Sequence, residues 1–182
     1  MMKGYINMTI SMRQQMGKTV YELLESDKRL VVVLAEINRL ARTNNPVEYP
    51  VHFGKLEIVQ RGSQATVIAV GPMLAATWEA VKDLDVTLLY CTTVVPFDAE
   101  TLQSVCPDQQ RQRSKIVLVE PYYEDVLVPD ICAAMGRVPV SIESIGVPHK
   151  VLSRYGTPEQ HDEALGLTPG GIRRRVERFL SE

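Results

Sequence analysis

The sequence predicts an α/β fold, a three-layer sandwich with a mainly parallel sheet, resembling no all-helical or all-strand pattern and carrying a short N-terminal helix-strand appendage. Three observations predict it. Short runs of consecutive aliphatic and β-branched residues recur, ATVIAVG from Ala65, DVTLLYCTT from Asp85 and KIVLVE from Lys115, as expected of strands buried on both faces. Between the first two lies a segment of helical period, MLAATWEAVKDL, which makes a strand, crossover helix and parallel strand. Near the end, Thr157-Pro158 and Thr168-Pro169 each put a capping hydroxyl before a proline that suits the first helical position.

The elements follow in order. Ser11 can cap a first helix, MRQQMGKTVYELLE, in which Met12, Met16, Val20, Leu23 and Leu24 recur at helical spacing. RLVVVLAEI, from Arg29, reads as a doubly covered strand. TNNPVEYPVHFG, with two Asn, two Pro and a Gly, interrupts both periodicities and reads as a linker. KLEIVQRG alternates and suits an edge strand, antiparallel in this setting. ATVIAVG ends at Gly71-Pro72, and the helix after it aligns Leu74, Trp78, Val81 and Leu84 on one stripe. PFDAETLQSV enters a short helix, CPDQQRQRS is a polar loop, and KIVLVE is a core strand. Residues 122–135 are expected to be helical, with Pro129 causing an irregular start or a kink. PVSIESIGV is the last core strand. The expected division is 1–45 for the appendage, 46–53 for the linker and 54–182 for the main domain.

The 182 residues, 45% hydrophobic and 23% charged, allow one full core and little more. A net charge of -2 gives no electrostatic reason to expect nucleic acid, whose binding rests on phosphate neutralisation. Arg173, Arg174, Arg175 and Arg178 read as a solvated helix face near the negative end of the helix dipole. No apolar run approaches the roughly 18 residues that span a bilayer, and no secretion signal opens the chain, so no membrane partner and a cytoplasmic location are expected. Cys91, Cys106 and Cys132 form no CxxC pair and read as buried thiols.

Few residues advertise chemistry. The strand-to-helix junction Gly71-Pro72-Met73 lacks a phosphate-cradling glycine pattern, and His52, His149 and His161 have no metal-ligating spacing. No GxSxG elbow is present. The residues therefore assign no catalytic, cofactor-binding or metal-binding group. Acids at strand ends remain: Glu36, Glu120 and Glu143. Because ligands of parallel α/β sheets sit outside the carboxyl ends of the strands, Gly71, Thr92, Thr93 and Glu120 form the candidate ligand crevice. Capping or pairing with arginine is the plainer role for the acids.

Taken together, FGKLEIVQRGSQATVIAVGPMLAATWEAV, VVPFDAETL and KIVLVEPYYEDVLVPDI resemble the C-terminal domain of the transketolase family, which includes deoxyxylulose-phosphate synthase and the beta subunits of 2-oxoacid dehydrogenases. The ending IGVPHKVLSRYGTPEQHDEALGLTPGGI resembles that family's tail, and MRQQMGKTVYELLESDKRLVVVLAEI resembles the first helix and strand of its middle, pyrimidine-binding domain. The resemblance implies that the chain passes from that first strand almost directly to the exit linker, with most of the middle domain missing. The family's pyrimidine-contacting glutamate and its Gly-Asp-Gly motif for metal and diphosphate have no counterpart, and Glu36 does not take the glutamate's place. Glu48 and Val51 flank Tyr49-Pro50, where the family usually carries a basic residue.

What the resemblance implies is a transketolase-like C-terminal component, a non-catalytic scaffold or assembly subunit of a thiamine-diphosphate-dependent transferase, inactive alone. Thiamine diphosphate and magnesium would then belong to a partner chain, and the partner would be a second copy in a homodimer or a separate cofactor-binding subunit. The apolar VVVLA strand, an aggregation hazard if its edge were left open, also points to association. The other reading is an independent small-ligand-binding or regulatory α/β protein.

Overall fold

The computed structural model describes residues 52–106, 114–150 and 156–182. The expected first helix and strand, Glu36, most of the linker and the polar loop at 107–113 lie outside these residues.

Five strands form one sheet: β1 (Leu56–Gln60), β2 (Thr66–Val70), β3 (Thr87–Cys91), β4 (Ser114–Tyr123) and β5 (Val140–Val147). Their spatial order is β1-β3-β2-β4-β5. β2, β3, β4 and β5 pair in parallel, and β1 lies antiparallel on β3 with a register shift between Ile58 and Gln60. The mainly parallel sheet with one antiparallel edge is the arrangement that the alternation of KLEIVQRG predicts.

Helices cover both faces because successive strand residues point opposite ways. Val67, Ala69, Val117 and Val119 face α1 (Leu74–Val81) and α5 (Pro169–Ser181), where Ile172, Val176 and Phe179 close the layer. Ile68, Val70, Ile116 and Leu118 face α2 (Ala99–Val105) and α3 (Val128–Met135), which supply Leu102, Ile131 and Met135. The sandwich thus has three layers and two apolar seams. α4 (Pro158–Leu165) buries none of its residues and connects to α5.

Local sequence explains most boundaries. Gly71 ends β2 with φ of 52°, a backbone conformation that side chains resist, and opens the short 3-10 turn Gly71–Met73 before α1. Gly62 precedes β2 where a Cβ would stand 2.3 Å from the Val86 nitrogen, so only glycine lets the two segments approach. Thr157 caps α4 in a reciprocal capping box with Gln160, and Thr168 caps α5 through the Gly171 amide.

Four expectations need correction. Residues 122 and 123 continue β4, and α3 begins only at Val128, so Pro129 occupies a first-turn position that needs no amide hydrogen and causes no kink. The buried stripe of α1 is Leu74, Thr77, Ala80 and Val81; Trp78 and Leu84 pack half-buried at its margin. The arginines of α5 are a solvated face only in part: Arg174 and Arg178 are exposed, whereas Arg173 and Arg175 are half-buried and bonded. Arg173 bonds Asp83 and the Ala80 carbonyl, while Arg175 bonds Glu143 at 2.8 Å and the Ser144 carbonyl at 2.7 Å. These bonds pin α5 to α1 and β5. Finally, Cys91 and Cys106 are buried but Cys132 is exposed.

Candidate functional site

The carboxyl ends of β3, β2, β4 and β5 make one end of the sheet, and the antiparallel β1 brings its own start there, since Leu56 pairs with Cys91. Registers place Gly71 after Val70, beside Cys91, and Ala69 beside Val119, so Gly71, Thr92 and Glu120 stand at three adjacent strand ends. Thr93 is engaged elsewhere. Its hydroxyl accepts the Gly54 amide at 3.1 Å, and its carbonyl accepts the Cys91 thiol at 3.4 Å, which ties the approach of β1 to the exit of β3.

Glu120 is fully buried. One carboxyl oxygen accepts the Leu127 amide at 3.0 Å and the other lies 3.2 Å from the Ser144 hydroxyl, whose oxygen also accepts the Asp125 amide at 2.8 Å. The carboxyl therefore organises the 124–127 turn from beneath. Burial pushes its pKa up, opposed by the Leu127 amide and the Ser144 hydroxyl. Burial also pushes the neighbouring Cys91 thiol up to about 12, the Thr93 bond opposing and the Glu120 charge adding, and it raises Tyr122 with help from the same charges. Neither Cys91 nor Tyr122 is an activated nucleophile or base at neutral pH.

A second polar knot lies at the β1 edge. Asp98 caps α2 and is almost wholly buried. Its carboxylate accepts the Leu56 amide at 3.0 Å, the Thr101 hydroxyl at 2.6 Å and the Thr101 amide at 3.3 Å, with Lys55 at 3.4 Å. Burial alone would raise its pKa, but these donors, the Thr101 hydroxyl foremost, outweigh burial and hold it below the usual carboxylate range. An open depression beside it is lined by His52, Lys55, Glu57, Glu100 and Thr101 among others. Its charges meet in pairs, His52 with Glu57 at 2.8 Å and Lys55 with Glu100 at 3.1 Å.

Exposed apolar side chains also stand at this end of the sheet, beside the charged depression. Among the described residues the exposed large apolar side chains are Phe53, Val95, Tyr123 and Val126, all beside strand ends of this side. Phe53 is 84% exposed and Val95 78%, against 53% for Tyr123 and 48% for Val126. Tyr123 stacks on His149 with ring centres 5.1 Å apart, and His149 Nε2 lies 2.7 Å from the Glu124 carbonyl.

Sequence reasoning named Glu120 but missed its partner Ser144, Asp98 at the centre of the second knot, and His149 against the Glu124 carbonyl. Only Asp98 left a readable signal, an acid directly before a short helix. Glu143, which the sequence singled out beside Glu36 and Glu120, takes the plainer role and pairs with Arg175 and Arg178. Among the described residues no group of three or more His, Cys, Asp or Glu is placed to hold a metal ion. No helix among them is long and apolar enough to cross a membrane.

Comparison with known proteins matches this architecture. The chain is 32% identical over 168 residues, 92% of its length, to an uncharacterized 33.6 kDa protein in the fasciation locus of Rhodococcoides fascians, and covers 51% of that protein. It is 29% identical over 142 residues to 1-deoxy-D-xylulose-5-phosphate synthase of Symbiobacterium thermophilum, which spans 72% of this chain and 21% of the synthase. The synthase of Gloeobacter violaceus is 27% identical over 143 residues, with the same coverage of 72% and 21%. The chain thus spans about half or less of the curated relatives it matches. A solved structure of a split-gene transketolase, an inactive β4 tetramer, shares the fold with a TM-score of 0.57 at 21% identity, over 70% of this chain and 43% of that one. The family model described as transketolase, C-terminal domain, matches residues 54–172, well over half of the chain, and the chain belongs to that family.

Proposed function

We propose that the domain from Gly54 onward is an assembly component of a thiamine-diphosphate-dependent transferase, supplying no catalytic or cofactor-binding group of its own. It acts beside a chain that carries thiamine diphosphate and magnesium, either a second copy or a separate subunit, in the cytoplasm. One observation supports this reading above others. At the strand ends where an α/β domain would meet a ligand, the buried acids Glu120 and Asp98 hold the domain's own turn and edge strand, the exposed ionisable side chains His52, Lys55 and Glu100 are paired, and the apolar Phe53, Val95, Tyr123 and Val126 stand exposed. Exposed apolar groups gathered at one end suit contact with another protein surface more than capture of a charged sugar phosphate.

Two measurements test it. Calorimetry of the chain with thiamine diphosphate and magnesium chloride is expected to show no saturable binding, and an assay of ketol transfer by the chain alone to show no turnover. Micromolar binding or turnover would overturn the proposal. A thermal-shift screen with sugar phosphates, 2-oxoacids and nucleotides is expected to be flat. A selective shift that vanished on altering Thr92 would favour the independent ligand-binding role instead.

A further inference from the structure

The turn over Glu120 has the parts of a moving element. It is short, it joins β4 to α3, and it carries Asp125 at φ of 70°, a left-handed conformation that costs a non-glycine residue energy unless its surroundings hold it. What holds it comes from two strands. Glu120 of β4 accepts the Leu127 amide, Ser144 of β5 accepts the Asp125 amide, and the Val147 carbonyl accepts the Glu124 amide at 2.9 Å. The Glu120 carboxyl lies fully buried beneath, and among the described residues no cation is bonded to it.

We propose that the 124–127 turn is a pH-gated flap, closed over the protonated side chain of Glu120 and opening as that carboxyl ionises. In the closed acid form the carbonyl oxygen accepts the Leu127 amide, and the remaining proton is shared along the 3.2 Å contact with the Ser144 hydroxyl. Loss of that proton leaves a charge in an apolar seam, where the Leu127, Val126 and Asp125 amides and the Ser144 hydroxyl favour it but burial opposes it and no described residue supplies a counter-ion. Water reaches it only if the turn lifts, which also releases Asp125 from its left-handed backbone.

The surrounding groups do not neutralise the charge. Cys91 from β3 and Tyr122 from β4 are held as neutral acids by burial. Arg175 from α5 gives its guanidinium to Glu143 and to the Ser144 carbonyl, and lies 4.0 Å from Glu124. Asp130 of α3 acts on Tyr122 and adds negative charge. His149 meets the turn from outside through the Glu124 carbonyl. The upward push of burial on Glu120 agrees with this picture, since a group that binds its proton more tightly when closed must favour opening when the proton leaves. Opening displaces Val126 and the neighbouring Tyr123, so the flap would change the apolar end of the sheet with pH.

Hydrogen exchange of the full chain, corrected for the intrinsic pH dependence of amide exchange, tests the flap without any partner. From pH 4 to 8 the protection of Leu127 and Asp125 is expected to fall by up to about tenfold per pH unit above the ordinary carboxyl value, then level off at the raised value of the closed form. Glu120→Gln should abolish the slope, and His149→Gln should keep it. Should Glu120→Gln fail to fold, Ser144→Ala serves: removing a donor to the ionised form should carry the levelling point to higher pH. Protection that is flat or rises with pH in the wild type, a slope that survives Glu120→Gln, or one lost in His149→Gln would overturn the proposal.

Discussion

Replacing Asp98 by alanine removes four partners at one point and should separate β1 from the rest of the sheet. The Leu56 amide is then a buried donor without an acceptor, which costs about 1–3 kcal/mol, and α2 loses its cap, a further loss of about 1 kcal/mol. Lys55 is half-exposed, so solvent screens its pairing with Asp98 and the pair adds little. Allowing for overlap, Asp98→Ala should destabilise the domain by about 2–4 kcal/mol, a large share of the roughly 5–15 kcal/mol typical of a domain. Asp98→Asn keeps an acceptor of the same shape and should cost about half as much. Urea unfolding with a shared slope reads both. The pH dependence has a fixed sign: the Asp98 carboxyl lies below its usual value of 3.8 in the folded protein, so its stabilisation is present above that value and is lost as pH falls through the folded pKa. The gap between wild type and Asp98→Asn should therefore narrow on acidification below about pH 4. A cost for Asp98→Ala under about 0.5 kcal/mol, or equal costs for alanine and asparagine, would refute the reasoning from acceptors.

Three further outcomes are expected. Gly62→Ala should destabilise by about 3 kcal/mol or more, read as a lowered melting temperature, because its Cβ would meet backbone at 2.3 Å and neither segment can step aside; a loss under about 1 kcal/mol would mean the segments move freely. Lys115→Met should fray the end of α5 and cost about 1–2 kcal/mol, since Lys115 donates to the Phe179 and Leu180 carbonyls at 3.1 and 3.0 Å; hydrogen exchange in the last turn should rise, and unchanged exchange would contradict it. A thiol reagent at pH 8 should modify one cysteine quickly, Cys132, leaving Cys91 and Cys106 until the protein unfolds. Fast reaction of a second thiol would count against the burial described.

The sheet was legible because its strands are doubly covered: ATVIAVG can satisfy neither face with water, so its apolar run has one reading. Thr157 and Thr168 were legible because a cap acts within four residues. α3 was not, since VEPYYEDVLVPDI mixes a strand's end with a helix's start, and what extends β4 through Tyr122 and Tyr123 is its pairing with β5, a contact from far along the chain. The arginines of α5 fail for the same reason. The partners of Arg173 and Arg175, Asp83 and Glu143, are acids from other elements, invisible to helix periodicity. At the strand ends, Glu120 could be named from position alone, but its role depends on Ser144, which sits 24 residues away and looks like an ordinary polar strand residue.

The strand order also sets a timetable for synthesis. β1 leaves the ribosome before every other described strand, yet its only neighbour in the sheet is β3, and its amide is held by Asp98, which comes later still. At roughly 5–20 residues per second, β1 waits several seconds with an open edge while β2 emerges and cannot pair with it. The first parallel pair that chain order makes available is β2 with β3, with β1 flanking one side and β4 and β5 the other. The alternating, half-polar composition of KLEIVQRG suits that interval, because a strand that must linger unpaired is safer when charges interrupt it.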